Sequence, residues 1–100
     1  MAQIEKAKEL AKAGRPAKID VKQAVAIAVD YFRALFPEAA KANMMLEEIE
    51  ESAEGHWMVT LGYDVDRPRS FVNGITRSYK TLRIDSVTGK VLSVKIRSVG

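Results

Sequence analysis

With one histidine and no cysteine, this chain has few routes to covalent or metal chemistry. The histidine, His56, stands beside a turn signal at Ala53 to Gly55. A serine nucleophile would need it as general base, yet no nucleophile elbow or triad spacing accompanies it. A zinc site would have to combine it with carboxylates, and no spaced ligand pair is present. His56 therefore reads as a turn-flanking surface residue. Glu47, Glu48, Glu50, Glu51 and Glu54 could bind a hard cation or supply paired acids. Along a strand they would alternate between faces, which suits a charged edge strand that resists edge-to-edge pairing. Capture of a basic peptide is the sharper option. No glycine-rich loop precedes a helix, so no nucleotide phosphate site is indicated. These patterns predict neither an enzyme nor a cofactor, and they indicate no small-molecule ligand.

The better functional candidate is cationic. Arg67, Arg69, Arg77, Lys80, Arg83, Lys90, Lys95 and Arg97 crowd the carboxy-terminal part of the chain. If Arg83, Lys95 and Arg97 share a sheet face with Tyr79, phosphates and a stacked base could be held there. Nucleic acid is thus one candidate partner, although no RNP, KH or glycine-rich signature accompanies the charge. The plainer reading is an open face wetted by long cations, with Asp64 and Asp66 nearby to neutralise some of them. Phe71, in the basic loop Arg67 to Gly74, is the aromatic best placed to touch a protein partner. Charge is also segregated along the chain. Residues 1–22 sum to +3, residues 23–66 to −7 and residues 67–100 to +7. A molecule so polarised can associate with itself or steer toward a charged partner.

The elements that must position these residues begin with a helix over Asp20 to Phe36. Val21, Ala24, Val25, Ala28, Val29, Phe32, Leu35 and Phe36 recur at a helical period and form a wide apolar stripe. Asp20 can cap the first turn with Gln23 as its capping-box partner, and Ile19 can staple onto Ala24. Pro37 ends the helix by disfavouring helical geometry at Phe36. Ile27 lies off the core side and Tyr31 at the stripe's edge. These two are the candidate oligomer contacts unless an amino-terminal helix over Ala2 to Ala13, closed by Gly14 and Pro16, covers them.

After an ambiguous Pro37 to Asn43, Met44 to Ser52 reads as a strand despite its helix-forming residues, because the next segment needs a partner. Leu46 and Ile49 have opposite parity, which predicts a bulge between them. His56 to Asp66 alternates, with Trp57, Val59, Leu61, Tyr63 and Val65 on one face. Trp57 and Tyr63 are expected in the core. Ile75 to Asp85 and Lys90 to Ser98 form the last hairpin around Ser86 to Gly89. Its inner face is expected from Leu82 and Ile84 with Leu92, Val94 and Ile96.

This hairpin carries a resemblance. Tyr79, Ile84, Asp85, Thr88, Gly89, Lys90 and Val91 resemble the aromatic-x-hydrophobic-Asp-x-x-Thr-Gly-Lys-Val ending of PepSY-type domains. The helix-then-meander layout is similar to PepSY-like and cystatin-like small α+β domains over Asp20 to Arg97. The likeness implies a protein-binding, often peptidase-inhibiting module.

The expected fold is α+β: an amino-terminal helix and connector over residues 1–19, then a long helix on a four-stranded antiparallel meander over residues 20–100. The expected function is a non-enzymatic interaction or inhibitor-type module, with a protein partner or self-association favoured. Arg67, Arg69, Phe71, Tyr79, Arg83, Lys95 and Arg97 are the candidate contacts, and a nucleic-acid-binding module is the alternative. No apolar run is long enough to span a membrane. No signal-peptide core is read at the amino terminus, so a cytoplasmic location is expected.

Overall fold

The central strand pair, Trp57–Asp66 and Ile75–Ile84, is flanked by Met45–Glu51 on one side and Val91–Ile96 on the other. In chain order these are β2 and β3, between β1 and β4. The computed structural model describes residues 18–66 and 75–97. Every neighbouring pair is antiparallel, so strand order equals chain order and the sheet is a meander. One helix, α1 (Val21–Leu35), lies on one face of it, and a single turn, α2 (Pro37–Ala40), leads from α1 toward β1. The expected amino-terminal helix and the Arg67–Gly74 loop lie outside the described residues.

Helix α1 begins as its residues dictate. The Asp20 carboxylate accepts from the Gln23 amide at 2.8 Å, and the Gln23 side chain accepts from the Asp20 amide at 2.8 Å. This reciprocal box satisfies two of the orphan donors at the helix start. The helix stops at Phe36, whose backbone leaves the helical region (φ −130°, ψ 66°) immediately before Pro37. Its buried line is Ala24, Ala28 and Phe32. Two alanines let the helix approach the sheet closely, and Phe32 fills the space beyond them. Below lie Val59 and Leu61 of β2 and Leu82 and Ile84 of β3, all fully buried. Each such side chain stabilises the fold by about 1.5–3 kcal/mol.

The aromatic residues extend this core. Phe32 packs against Phe36 and Tyr63, with ring centroids 5.3 and 5.5 Å apart. Trp57 packs at the opposite end, where its indole N–H donates to the Ile19 carbonyl at 3.1 Å. The Ile19 amide in turn donates to the Ser86 carbonyl at 2.7 Å, which ties the helix entrance to the β3–β4 turn.

Several sequence expectations need correction. Ile27 does not stand off the core: it is half-buried against the cluster and reaches over the β3–β4 turn at Gly89. A helix seated on two alanines sits low enough for this flanking side chain to touch the turn. Tyr31 remains 40% exposed. The residues of β4 that pack on the core are Val91 and Val94, not Leu92 and Ile96. An irregularity between Arg83 and Ile84 pairs Ile84 with Val91, which displaces Leu92, and Ile96 is 79% exposed opposite Lys80. The expected bulge in β1 is present between Leu46 and Glu48.

Candidate interaction surface

The face of the sheet turned away from α1 is built by the alternate residues of each strand. Register places Glu48, Thr60, Thr81 and Lys95 in one row across β1, β2, β3 and β4. The adjacent row is Glu50, Met58, Arg83 and Ser93. Together with Arg97 these residues line an open trough of about 470 Å³. Its floor is the pair Thr60 and Thr81, whose hydroxyl oxygens lie 2.8 Å apart. Thr60 is only 2% exposed, although no described helix covers it, because longer side chains close over it.

Arginines are the closing side chains. Arg97 Nη1 donates to Glu48 Oε1 at 2.6 Å and to Thr60 Oγ1 at 3.1 Å, so it crosses from the β4 edge toward the β1 edge. The bond to Glu48 holds its guanidinium still more firmly protonated than usual. Arg83 pairs with Glu54 of the β1–β2 turn. At the far end of β3, Arg77 donates to Asp64 at 2.8 Å, to Glu47 at 3.3 Å and to the Asn43 carbonyl at 2.7 Å. Its pKa is raised as well, first by the hydrogen bond to Asp64. Asn43 has positive φ (55°), and its carbonyl is thereby fixed by an arginine from another strand.

Of the residues expected to meet a partner, Tyr79, Arg83, Lys95 and Arg97 share this face, as the alternation required. Arg67, Arg69 and Phe71 lie outside the described residues. Lys80 belongs to the other face, where its ammonium sits 4.9 Å from the Phe36 ring centroid and 5.7 Å from that of Tyr63. Lys95 has no ion pair among the described residues, nor does Glu50. Sequence reading missed Glu48, Glu54 and the Thr60–Thr81 pair as parts of the face. Alternation put the threonines on the outer side, but only strand register shows that they meet.

His56 is half-buried rather than a plain surface residue. Its amide donates to Ser52 Oγ at 3.1 Å, and its Nδ1 is buried with no hydrogen-bond partner among the described residues. The electrostatically nearby Asp85 is engaged elsewhere, accepting from the Val87 and Thr88 amides at 2.8 and 3.0 Å. These bonds, the one from Thr88 first, hold the Asp85 carboxyl below the usual range. Among the described residues no group of three His, Cys, Asp or Glu is placed to hold a metal ion. No described helix is long and apolar enough to cross a membrane.

Comparison of the chain with protein-family models, curated proteins and solved structures finds no match. The PepSY-like and cystatin-like resemblance therefore rests on the hairpin residues and the layout alone.

Proposed function

We propose that the chain is a non-enzymatic protein-interaction domain, of the binding or inhibitor type, whose contact surface is the open face of its sheet. The observation that carries this reading is the trough over Thr60 and Thr81, with carboxylates along β1 and cations along β3 and β4. Such a surface offers a short polar floor and walls of both signs, which suits another protein's mixed side chains. Nucleic acid suits it less. Phosphates would have to displace carboxylates already bonded to Arg77, Arg83 and Arg97.

The test compares capture by the wild-type chain with capture by two classes of variant. Lys95→Glu and Thr81→Arg alter the trough, whereas Lys22→Glu and Arg33→Glu alter the exposed side of α1. A protein retained by wild type and by the helix variants, but lost by both trough variants, supports the reading. Capture indifferent to the trough variants overturns it.

A further inference from the structure

We infer that the open face binds a second copy of this chain, face to face, about a two-fold axis running parallel to the strands. This rests on the reading of that face as a contact surface and names its partner. Residues 45–66, which form β1, its turn and β2, hold seven acids and no Lys or Arg. Residues 75–97, which form β3, its turn and β4, hold six cations against Asp85. Because the strands lie in chain order, this segregation becomes a gradient across the sheet, acidic at the β1 edge and basic at the β4 edge.

The gradient selects the symmetry. An axis in the plane of contact but perpendicular to the strands would lay β1 over β1, with carboxylate facing carboxylate. An axis parallel to the strands lays β1 of one copy over β4 of the other. The row Glu48, Thr60, Thr81, Lys95 then meets its own reverse. Glu48 faces the partner's Lys95, a contact repeated by the two-fold, while Thr60 stays covered by Arg97 of its own copy. The groups needed are available. Lys95 is exposed with no ion pair among the described residues. Glu48 gives Arg97 its short bond through Oε1 and leaves Oε2 with a contact of only 3.5 Å, so a second cation can be accommodated.

Four strands ~4.8 Å apart, with about six residues each at ~3.4 Å, give a footprint on the order of 400 Å² per copy. That is about half of the ~800 Å² per partner of a standard interface, so the dimer is weak, concentration-dependent and sensitive to salt.

Sedimentation equilibrium of the full chain, at low salt and up to millimolar concentration, tests this. The wild type should dimerise, and less so as salt rises. Lys95→Glu alone and Glu48→Lys alone should each weaken the dimer by more than about tenfold, since the two-fold repeats the change at two contacts. An equimolar mixture of the two variants should associate again, because each supplies the charge that the other lacks. If loss of the Arg97 partner unfolds the Glu48 variant, Glu48→Gln, which keeps an acceptor for Arg97, takes its place, and its mixture with Lys95→Glu should again be tighter than either variant alone. A wild type that stays monomeric throughout overturns the inference, and so does a mixture no tighter than its components. A monomeric chain that still loses a captured protein on Lys95→Glu refutes self-association while keeping the open face as a binding surface.

Discussion

Arg97 and Glu48 belong to opposite edges of the sheet, yet their side chains meet at 2.6 Å across the two strands between them. The reach is possible because the floor beneath is Thr60 and Thr81, two short side chains in neighbouring strands. The amide of Arg97 donates to the Tyr79 carbonyl at 3.0 Å, which fixes where the guanidinium starts. The face is thereby held as a unit, with a part-buried hydroxyl pair roofed by an ion pair. Its cations serve first as structure, and only Lys95 on this face is left without a carboxylate among the described residues.

The hydroxyl pair makes a stability prediction. Thr60→Val leaves the Thr81 hydroxyl without this partner and removes an acceptor from Arg97, so a loss of about 1–2 kcal/mol is expected. Thr60→Val with Thr81→Val removes both hydroxyls at nearly constant shape and should cost less than the two single changes added. Urea unfolding of the four proteins in the cycle measures this. Strict additivity would show that the 2.8 Å contact contributes no coupling.

The β3–β4 turn should be sensitive to acid. Its Asp85 accepts from two backbone amides, and the Thr88 hydroxyl accepts from the Lys90 amide at 3.2 Å. Since the folded pKa of Asp85 is lowered, its contribution is present above the unfolded value and is lost as pH falls through the folded one. The difference in urea midpoint between wild type and Asp85→Ala should therefore hold constant above about pH 5 and shrink toward pH 2. A difference that is flat over the whole range would mean that the carboxylate charge does no work in the turn.

Gly89 in the same turn has φ +77°, and a Cβ there would sit 3.0 Å from Ile27 Cδ1. Gly89→Ala meets both backbone strain and that contact, and should cost about 1–3 kcal/mol. Ile27→Val removes the Cδ1 atom. In that background Gly89→Ala should cost less, with the backbone share remaining. Thermal or urea denaturation of the cycle separates the two, and an unchanged cost would show that contact with Ile27 adds nothing to the strain.

What the sequence disclosed follows from the range of the physics involved. The capping box of Asp20 and Gln23, the stop at Pro37 and the inward set Trp57, Val59, Leu61 and Tyr63 are local, and each appears as read. The β1 bulge was legible because Leu46 and Ile49 fall out of phase within a few residues. Ile27 was misread because a helical period gives direction but not how closely α1 seats, which Ala24 and Ala28 decide together with the sheet beneath. Leu92 was misread because the irregularity opposite Arg83 and Ile84 leaves no mark in β4 itself, whereas Ile96 keeps the inner parity opposite Lys80 but is 79% exposed. The site was half legible for the same reason. Which residues point outward follows from parity, whereas Arg97 reaching Glu48 depends on a separation in sequence that no local pattern encodes.

Gly62 offers a contrast with Gly89, because its neighbour can move. A Cβ at Gly62 would lie 2.8 Å from Glu47 Cγ, too close unless Glu47 swings away. Glu47 is a flexible side chain, and its 3.3 Å bond to Arg77 is the longest of the three that hold that guanidinium. Losing a partly exposed pair of this kind costs about 0–1 kcal/mol. Against this, an alanine in a strand restricts the unfolded chain more than glycine does, a gain of about 0.4–1 kcal/mol. The two nearly cancel, so Gly62→Ala should leave stability within about 0.5 kcal/mol of wild type while freeing Glu47 from Arg77. Equilibrium unfolding gives the first quantity, and the salt dependence of the midpoint, reduced in the variant, reports the second. A loss above about 2 kcal/mol would mean that Glu47 is held in place more firmly than its contacts with Arg77 account for.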